Sequence, residues 1–265
     1  MTDAVELSLH DNVALLTMKE PASRNALSDN MRAGLSNAAN NIVGNSDIKA
    51  LVITGSEGVF CAGGDLKAML ERHTTGMGAS FEDLHERMQH LHQWMKIIRD
   101  LPIPVIVAVD GPAYGAGLGI ALTGDIVLAS NEASFSASFC KVGVIPDGNL
   151  LWSLPRIVGL QRARELFYTG RVVKATEALN LGLCMELHPA DKLHERAMNM
   201  AQSMCNVSPL AFSLTKQLSS RSMELDSDAL LTMEAQAQAT CMTSDYYIEA
   251  ITRFKNKEKP LFSFE

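Results

Sequence analysis

The chain has 265 residues, of which 47% are hydrophobic and 20% are charged, an ordinary composition for one large globular domain. Its formal net charge of -7 gives no general electrostatic reason to bind nucleic acid or an anionic membrane, so neither is expected as a partner. The five cysteines include no CxxC pair, which argues against a disulfide framework or a structural zinc site. Without a secretory signal or an apolar run long enough to span a bilayer, the protein is expected to be cytoplasmic.

The first elements in chain order are two short alternating segments, residues 5–9 and 13–18, which predict a β-hairpin. Ser28 is the expected N-cap of a helix, because apolar residues follow it at helical spacing. Residues 50–54 then predict a short buried strand. A glycine-containing loop follows this strand, from residue 55 to residue 65.

The middle of the chain continues the alternation of helices and strands. A helical pattern over residues 80–99 precedes a second apolar strand at residues 105–109, and a small-residue segment at 115–124 comes next. This alternation predicts an α/β fold, a mostly buried sheet with helical crossovers. Helical patterns dominate towards the end, so we expect an α/β core over residues 1–200 and a helical region over residues 201–265.

Two loops consist of residues whose small side chains leave backbone N–H groups open to a ligand, and each loop follows a predicted buried strand. They are residues 60–66 and residues 110–119. Two amides that converge on one oxygen form an oxyanion hole. Taken singly, either loop is explained as readily by tight turns and close helix packing. Neither contains the sequence of a phosphate-binding P-loop or of a dinucleotide-binding turn, so nucleotide binding in those forms is not expected.

Six short motifs occur in a set order along the chain. They are RNAL at residues 24–27, FCAGGD at 60–65, DGPAYGAG at 110–117, GDI at 124–126, VGVIPD at 142–147 and LPRIVG at 154–159. In this combination they resemble the crotonase (enoyl-CoA hydratase/isomerase) superfamily. The resemblance implies a spiral of ββα repeats with a C-terminal α-helical trimerisation region, and hence a homotrimer or hexamer. It also implies an acyl-CoA thioester substrate, whose enolate-like oxyanion the amides of Ala62 and Gly115 would hold.

The reaction depends on the acid and base groups that accompany these amides. Hydratases of the superfamily use two glutamates, at positions that correspond here to Gly119 and Phe139, and neither residue can transfer a proton. Asp147 remains, at the place where 3,2-enoyl-CoA isomerases and ring-1,2-epoxyphenylacetyl-CoA isomerases of the superfamily carry their single acid. One carboxylate suffices for isomerisation, because it can remove a proton at C2 and return it at C4. The resemblance therefore favours an acyl-CoA isomerase with Asp147 as its base.

Other interpretations of Asp147 remain open. Pro-Asp-Gly is a strong turn signal by itself. Dehalogenases of the superfamily have a nucleophilic aspartate at this position and a helper histidine on the preceding helix, where this chain has His85, His90 and His92. The alternatives are therefore a dehalogenase- or thioesterase-like hydrolase, or an acyl-CoA-binding family member with little or no hydratase activity.

The resemblance also assigns contacts with coenzyme A to Arg24, Phe254 and Lys257. Each has an ordinary explanation too, as a solvated loop charge or as part of a helix end. Coenzyme A belongs to the substrate, so neither a separate cofactor nor a metal is expected. The natural acyl group is left open.

Overall fold

The computed structural model of the protein describes residues 3–77 and 80–264. A six-stranded sheet in the order β1-β2-β3-β4-β6-β9 forms the centre, and three short strands form a second sheet in the order β5-β7-β8. The strands are β1 (Val5–His10), β2 (Val13–Met18), β3 (Ala50–Gly55), β4 (Val105–Val109), β5 (Pro112–Tyr114), β6 (Ile126–Ser130), β7 (Ser134–Ser136), β8 (Val173–Lys174) and β9 (Glu186–His188). In the large sheet only β1 is antiparallel to its neighbour, which confirms the predicted hairpin.

Eleven α-helices lie within the same described ranges. They are α1 (Asp29–Ile42), α2 (Leu66–Thr75), α3 (Phe81–Arg99), α4 (Ala116–Ala121), α5 (Leu150–Val158), α6 (Leu160–Thr169), α7 (Ala175–Leu181), α8 (Ala190–Met204), α9 (Pro209–Arg221), α10 (Ser227–Met242) and α11 (Asp245–Asn256). Helix α1 begins as predicted, because the Ser28 hydroxyl accepts a hydrogen bond from the Met31 N–H at 3.1 Å.

The large sheet lies between two layers of helices. On one face, Val52 of β3 and Ile106 of β4 pack with Leu193 and Met200 of α8. On the other face, the alternate strand residues pack with the apolar sides of α1 and α3. Both faces of β3 and β4 are therefore buried, which explains why these parallel strands are continuous apolar runs rather than alternating ones.

Strands of the two sheets alternate along the chain and build the spiral. Strand β4 leads directly into β5 of the small sheet and then into α4, and β6 leads into β7 and a 3-10 turn. Such ββα units are the architecture that the family resemblance implies, and the expected α/β spiral is observed. The repeat places β5 and β7 after the carboxyl ends of the large-sheet strands β4 and β6.

The last three helices, α9 to α11, contribute no buried residue to the described structure. An ion pair connects helix α9 with the core: the Lys216 ammonium lies 2.8 Å from the Asp125 carboxylate. Helix α8 continues past residue 200, the expected boundary of the core, and ends at Met204. No helix in residues 3–77 and 80–264 has the length and apolar composition needed to cross a bilayer.

Candidate active site

The two glycine-containing loops meet at one edge of the large sheet. Strands β3 and β4 pair in parallel, so their carboxyl ends are neighbours. The Cys61 N–H donates to the Pro112 carbonyl and the Tyr114 N–H donates to the Cys61 carbonyl, each at 2.9 Å. Motifs that are far apart in the sequence therefore form one continuous backbone surface.

Asn25 fixes the shape of the first loop. Its side chain is fully buried, and its amide nitrogen donates to the carbonyls of Val59 at 2.8 Å and Phe60 at 3.0 Å. Its amide oxygen accepts from the Glu20 N–H at 2.7 Å. The residue has φ of 51°, a left-handed conformation that asparagine tolerates. The sequence places Asn25 in a motif but gives it no role, because its partners become neighbours only in the folded chain.

The amides of Ala62 and Gly115 are already engaged within the protein. The Ala62 N–H donates to the Arg24 carbonyl at 2.9 Å, and the Gly115 N–H donates to the Ser136 carbonyl at 2.8 Å. A backbone N–H paired at this distance is not available to a ligand. The assignment of the thioester oxygen to these two amides therefore has to be corrected.

Two nearby amides are open instead. The N–H groups of Gly64 and Ala116 donate to no acceptor in the part of the chain that the structure describes. Ala116 is the first residue of α4, where an N–H has no partner within the helix. A Cβ built on Gly63 would lie 2.5 Å from the Tyr114 carbonyl oxygen and 3.3 Å from the Ala116 nitrogen. Only glycine at position 63 lets the loop approach α4 this closely, and the approach brings the two open amides together.

Asp147 lies on the loop before α5, and this loop packs against α3 and α4. A Cβ built on the next residue, Gly148, would lie 3.4 Å from both the Gly119 Cα and the Met95 Cε, and 3.8 Å from the Ala116 Cα. Asp147 therefore adjoins the short helix whose first amide is open.

The carboxylate of Asp147 is largely desolvated. Its Oδ1 atom is buried and has no hydrogen-bond partner among the described residues. Burial raises the pKa of Asp147, while the positive charges of His92 and Arg32 act to lower it. A turn-forming aspartate commonly bonds to nearby backbone N–H groups, whereas no described N–H donates to this side chain. A half-buried carboxylate with one unpaired, buried oxygen and a raised pKa is suited to accept a proton.

The two positions that carry glutamates in hydratases differ in their surroundings here. A Cβ on Gly119 would lie 2.7 Å from the Gly148 carbonyl oxygen, so any side chain would have to displace the loop that carries Asp147. Position 139 holds a buried phenylalanine, whose Cζ lies 3.8 Å from the place of a Cβ on Gly115, as does the Ser138 Oγ. An aromatic ring and a hydroxyl, and no carboxylate, therefore lie next to the second loop.

Of the three histidines on α3, His92 is the one that acts electrostatically on Asp147. His85 stacks on a neighbouring phenylalanine ring at 5.6 Å between centroids. The His90 ring lies 3.9 Å from the Glu86 carboxylate, and both side chains are exposed. The sequence gives no reason to prefer one of the three histidines as the neighbour of Asp147. The packing of α3 against the Asp147 loop distinguishes them.

The residues assigned to coenzyme A are divided between two places. Arg24 is exposed and lies beside the first loop, since its carbonyl accepts the Ala62 N–H. Phe254 is 88% exposed on α11, and Lys257 is the exposed residue that ends this helix. Within the described ranges, no hydrogen bond or ion pair connects α11 with either loop. In the same ranges, no group of three potential metal ligands occurs.

The chain that carries these loops matches a known protein family. Residues 8–264 match the family model described as enoyl-CoA hydratase/isomerase. The chain therefore belongs to this family, the crotonase superfamily that its motifs resemble. It is an enzyme family that acts on acyl-CoA thioesters.

Some relatives of the chain are named isomerases and others are named hydratases. The chain is 30% identical over 264 residues to the 1,2-epoxyphenylacetyl-CoA isomerase of Escherichia coli, with 99% of each chain covered. It is 31% identical over 256 residues to the short-chain-enoyl-CoA hydratase of Clostridium acetobutylicum, with 96% of this chain and 95% of the relative covered. A crystal structure of an enoyl-CoA hydratase/isomerase from Cupriavidus metallidurans CH34 is 34% identical, with a TM-score of 0.92 and coverage of 100% and 98%. Similarity thus establishes the family, and the choice of reaction depends on the site.

Proposed function

We propose that the protein is an acyl-CoA isomerase that moves a double bond from the 3-enoyl to the 2-enoyl position, with Asp147 as its only acid–base group. The observation that carries this proposal is the buried, unpaired Oδ1 atom of the half-buried Asp147, on the loop that packs against α4. Gly119 and Phe139 leave no second carboxylate to hold and activate water. One acid is enough to relocate a proton, whereas the hydration used by the family needs two.

The reaction requires stabilisation of negative charge on the thioester oxygen. The N–H groups of Gly64 and Ala116 would donate to this oxygen, because both are open and lie on loops that touch. Asp147 would remove the C2 proton, and the resulting charge would spread onto the oxygen as an enolate. Asp147 then returns the proton to C4, the thioester carbonyl re-forms, and the double bond comes to lie between C2 and C3. The same steps could serve ring- or epoxide-bearing acyl groups.

Coenzyme A would enter as part of the substrate. Arg24 would contact it, and the position of this exposed residue beside the first loop supports that role. Phe254 and Lys257 would reach the adenine and phosphates from a neighbouring subunit of a homotrimer or hexamer. The exposed position of α11 supports this arrangement.

An ultraviolet assay across a panel of 3-enoyl-CoA and 2-enoyl-CoA thioesters tests the proposal. Wild-type protein is expected to form the conjugated 2-enoyl product, and Asp147→Asn to lower kcat by about 100- to 10,000-fold, the usual contribution of a positioned acid–base group. Asp47→Asn, which alters an exposed aspartate, is the matched control and should retain wild-type kcat. Full activity in Asp147→Asn would remove Asp147 from the mechanism.

A hydrolytic reaction is the second candidate, and the electrostatic link between His92 and Asp147 favours it. Asp147 would then attack the thioester carbonyl with loss of the coenzyme A thiolate, or a halogen-bearing aryl carbon with loss of halide. Water activated by His92 would hydrolyse the resulting anhydride or aryl ester and release the Asp147 carboxylate. Mass spectrometry of protein quenched during turnover should show an acyl or aryl adduct on Asp147 in this case and none for the isomerase. A non-catalytic acyl-CoA-binding protein would instead show no turnover, and its binding would be unchanged by Asp147→Asn.

A further inference from the structure

Trp152, in the first turn of α5, joins three parts of the molecule. Its indole N–H donates to the Glu224 carboxylate at 2.7 Å, and Glu224 lies in the turn between α9 and α10. The central carbon of the Arg156 guanidinium lies 4.1 Å from the centre of the indole ring, and Arg156 donates to the same Glu224 oxygen at 3.0 Å. The guanidinium of Arg99, at the end of α3, lies 5.4 Å from the same ring centre. One side chain of α5 therefore contacts both α3 and the C-terminal helical region.

A structural tether is the ordinary explanation of such a cluster. Helices α9 to α11 bury no residue in the described structure, and polar contacts connect them with the core. The Glu224 side chain is 46% exposed, and an exposed ion pair contributes little to stability. The other tether, between Lys216 and Asp125, is more enclosed, with side-chain exposures of 12% and 24%. The Glu224 cluster is therefore the weaker tether, and its contact with α5 is what distinguishes it.

The first turn of α5 is bonded directly to the residue proposed as the base. The Leu150 N–H, the first of the helix, donates to the Asp147 carbonyl at 3.1 Å. The Trp152 N–H donates to the Asn149 carbonyl, also at 3.1 Å. Between these bonds, Gly148 and Asn149 have φ of 59° and 65°, two left-handed residues in succession. A left-handed asparagine is unfavourable unless its surroundings hold it, so a shift of this turn passes directly to Asp147.

The rest of the Asp147 loop is held by other helices. A Cβ on Gly119 of α4 would lie 2.7 Å from the Gly148 carbonyl oxygen, and a Cβ on Gly148 would lie 3.4 Å from the Met95 Cε of α3. The loop is therefore set against α4 and α3, and the first turn of α5 continues from it. Trp152 is the residue of that turn whose side chain is bonded to the C-terminal helical region.

We propose that Trp152 is a positioning residue for Asp147, held in place by the Glu224 carboxylate of the C-terminal helical region. Trp152 acts through the backbone of α5 and not by contact with the substrate. With Glu224 bonded, the first turn of α5 keeps Asp147 in the geometry needed at C2 and C4. Without this bond the turn shifts, and a displacement of about 1 Å is enough to slow a reaction about 100-fold. The inference rests on the proposed function, since it takes Asp147 as the base.

The test measures kcat and KM for 3-hexenoyl-CoA in variants of the two residues. Glu224→Ala removes the acceptor of the indole N–H, and Trp152→Phe removes the donor while keeping an aromatic ring beside Arg156. Each should lower kcat by about 10- to 100-fold and leave KM little changed. Glu224→Gln, which retains a carbonyl oxygen at the same reach, should recover most of kcat. The double variant should be no slower than the slower single variant, because both substitutions break one bond.

Lys216→Met is the matched control for loss of a tether, because it breaks an ion pair of the same region that involves no residue of α5. It should lower the melting temperature and keep the kcat of wild type. An equal loss of kcat in Lys216→Met and Glu224→Ala would reduce the cluster to a tether and overturn the inference. Wild-type kcat in Glu224→Ala would overturn it too, as would additive effects in the double variant. If Trp152→Phe fails to fold by circular dichroism, the variants of the exposed Glu224 decide.

A measurement without turnover separates this inference from the isomerase proposal. The carboxyl ¹³C resonance of Asp147, assigned by its loss in Asp147→Asn, gives the pKa of this group. A displaced and better solvated carboxyl should have a lower pKa in Glu224→Ala than in wild type, although the charges of His92 and Arg32 are unchanged. Glu224→Gln loses the same charge as Glu224→Ala but should keep the wild-type pKa.

The two proposals then fail in different ways. A lowered pKa of Asp147 in Glu224→Ala, in a protein that does not isomerise 3-hexenoyl-CoA, would support the positioning role and refute the isomerase. Isomerisation that depends on Asp147, with unchanged pKa and kcat in Glu224→Ala, would do the reverse.

Discussion

At the residue scale, opposing effects act on the proton of Asp147. Burial raises the pKa of this carboxyl, and the nearby positive charges of His92 and Arg32 counteract part of the rise. An ordinary aspartate is a weak base, with a pKa of about 3.9. The environment therefore moves Asp147 towards the basicity that abstraction of a C2 proton requires, while keeping an ionised form accessible.

The raised pKa predicts the pH dependence of the reaction. The base must be ionised, so kcat/KM should fall as the pH drops through the pKa of Asp147. The acid limb should therefore lie above the range of an ordinary aspartate, about 3.9. A pH profile of kcat/KM measures this limb directly. A limb at or below the ordinary value would contradict the desolvated site.

The raised pKa of Asp147 also affects the free energy of unfolding. The pKa of Asp147 is higher in the folded than in the unfolded chain, so ionisation of this residue opposes folding as the pH rises through the folded value. Asp147→Asn should accordingly melt at a higher temperature than wild type near pH 7. The difference should shrink as the pH falls through the folded pKa and disappear below about 3.9, where the carboxyl is protonated in both states.

At the scale of elements, the decisive contact is between α4 and the loop that carries Asp147. The two backbones meet at Gly119 and Gly148 with no space for a side chain. This contact holds Asp147 beside the open amide of Ala116, and it excludes a glutamate from position 119. The carboxylate on the loop and a carboxylate on the helix are therefore sterically exclusive in this backbone arrangement.

This exclusion predicts that a hydratase cannot be made by one substitution. Gly119→Glu should gain no hydratase activity and should lose isomerase activity, because its Cβ would displace the Asp147 loop. Gly119→Ala is the matched control for the carboxylate, since it introduces the same Cβ at 2.7 Å from the Gly148 oxygen. It should share the loss of activity and destabilise the protein by about 1–3 kcal/mol, as overpacking commonly does. Assays with a 3-enoyl-CoA and a 2-enoyl-CoA, together with urea denaturation, measure both effects.

How far the elements could be predicted depends on their length. The hairpin and the helix that starts after Ser28 were predictable from local patterns, because each has enough residues to show a period. The small-sheet strands β5, β7 and β8 have only two or three residues and carry no such signal. They form because β4 leads into β5, β6 leads into β7, and the chain after α6 brings β8 alongside β7. The Ser136 carbonyl of β7 is the acceptor that occupies the Gly115 amide.

At the scale of the whole molecule, α9 to α11 are unusual because none of their residues is buried. Helices α10 and α11 nevertheless carry exposed apolar side chains, including Leu231, Ile248, Ile251 and Phe254. Helices in water usually need a buried apolar face for stability. We infer that this region is covered by further subunits, as in the trimer or hexamer that the family resemblance implies.

This inference predicts the behaviour of interface variants. Wild type should elute and scatter light as a trimer or hexamer, and Ile251→Glu should shift it towards a smaller species, because a charge in an apolar interface is unfavourable. Leu9→Glu changes an apolar residue of similar exposure on β1, and should leave the assembly intact. Light scattering coupled to size-exclusion chromatography measures both. A wild type that is monomeric at micromolar concentration would contradict the prediction.

The sequence by itself determined the family, the α/β architecture and the identity of the one retained acid, because motif order and apolar periodicity are local properties. It also determined that Gly119 and Phe139 supply no carboxylate. Only the tertiary structure decided which amides are open, since the partners of Ala62 and Gly115 are carbonyls brought by other elements. The desolvation of Asp147 also follows from the tertiary structure, because the burial of this residue depends on elements far away in the chain. The electrostatic environment of a side chain belongs to the packed molecule and not to any segment of it.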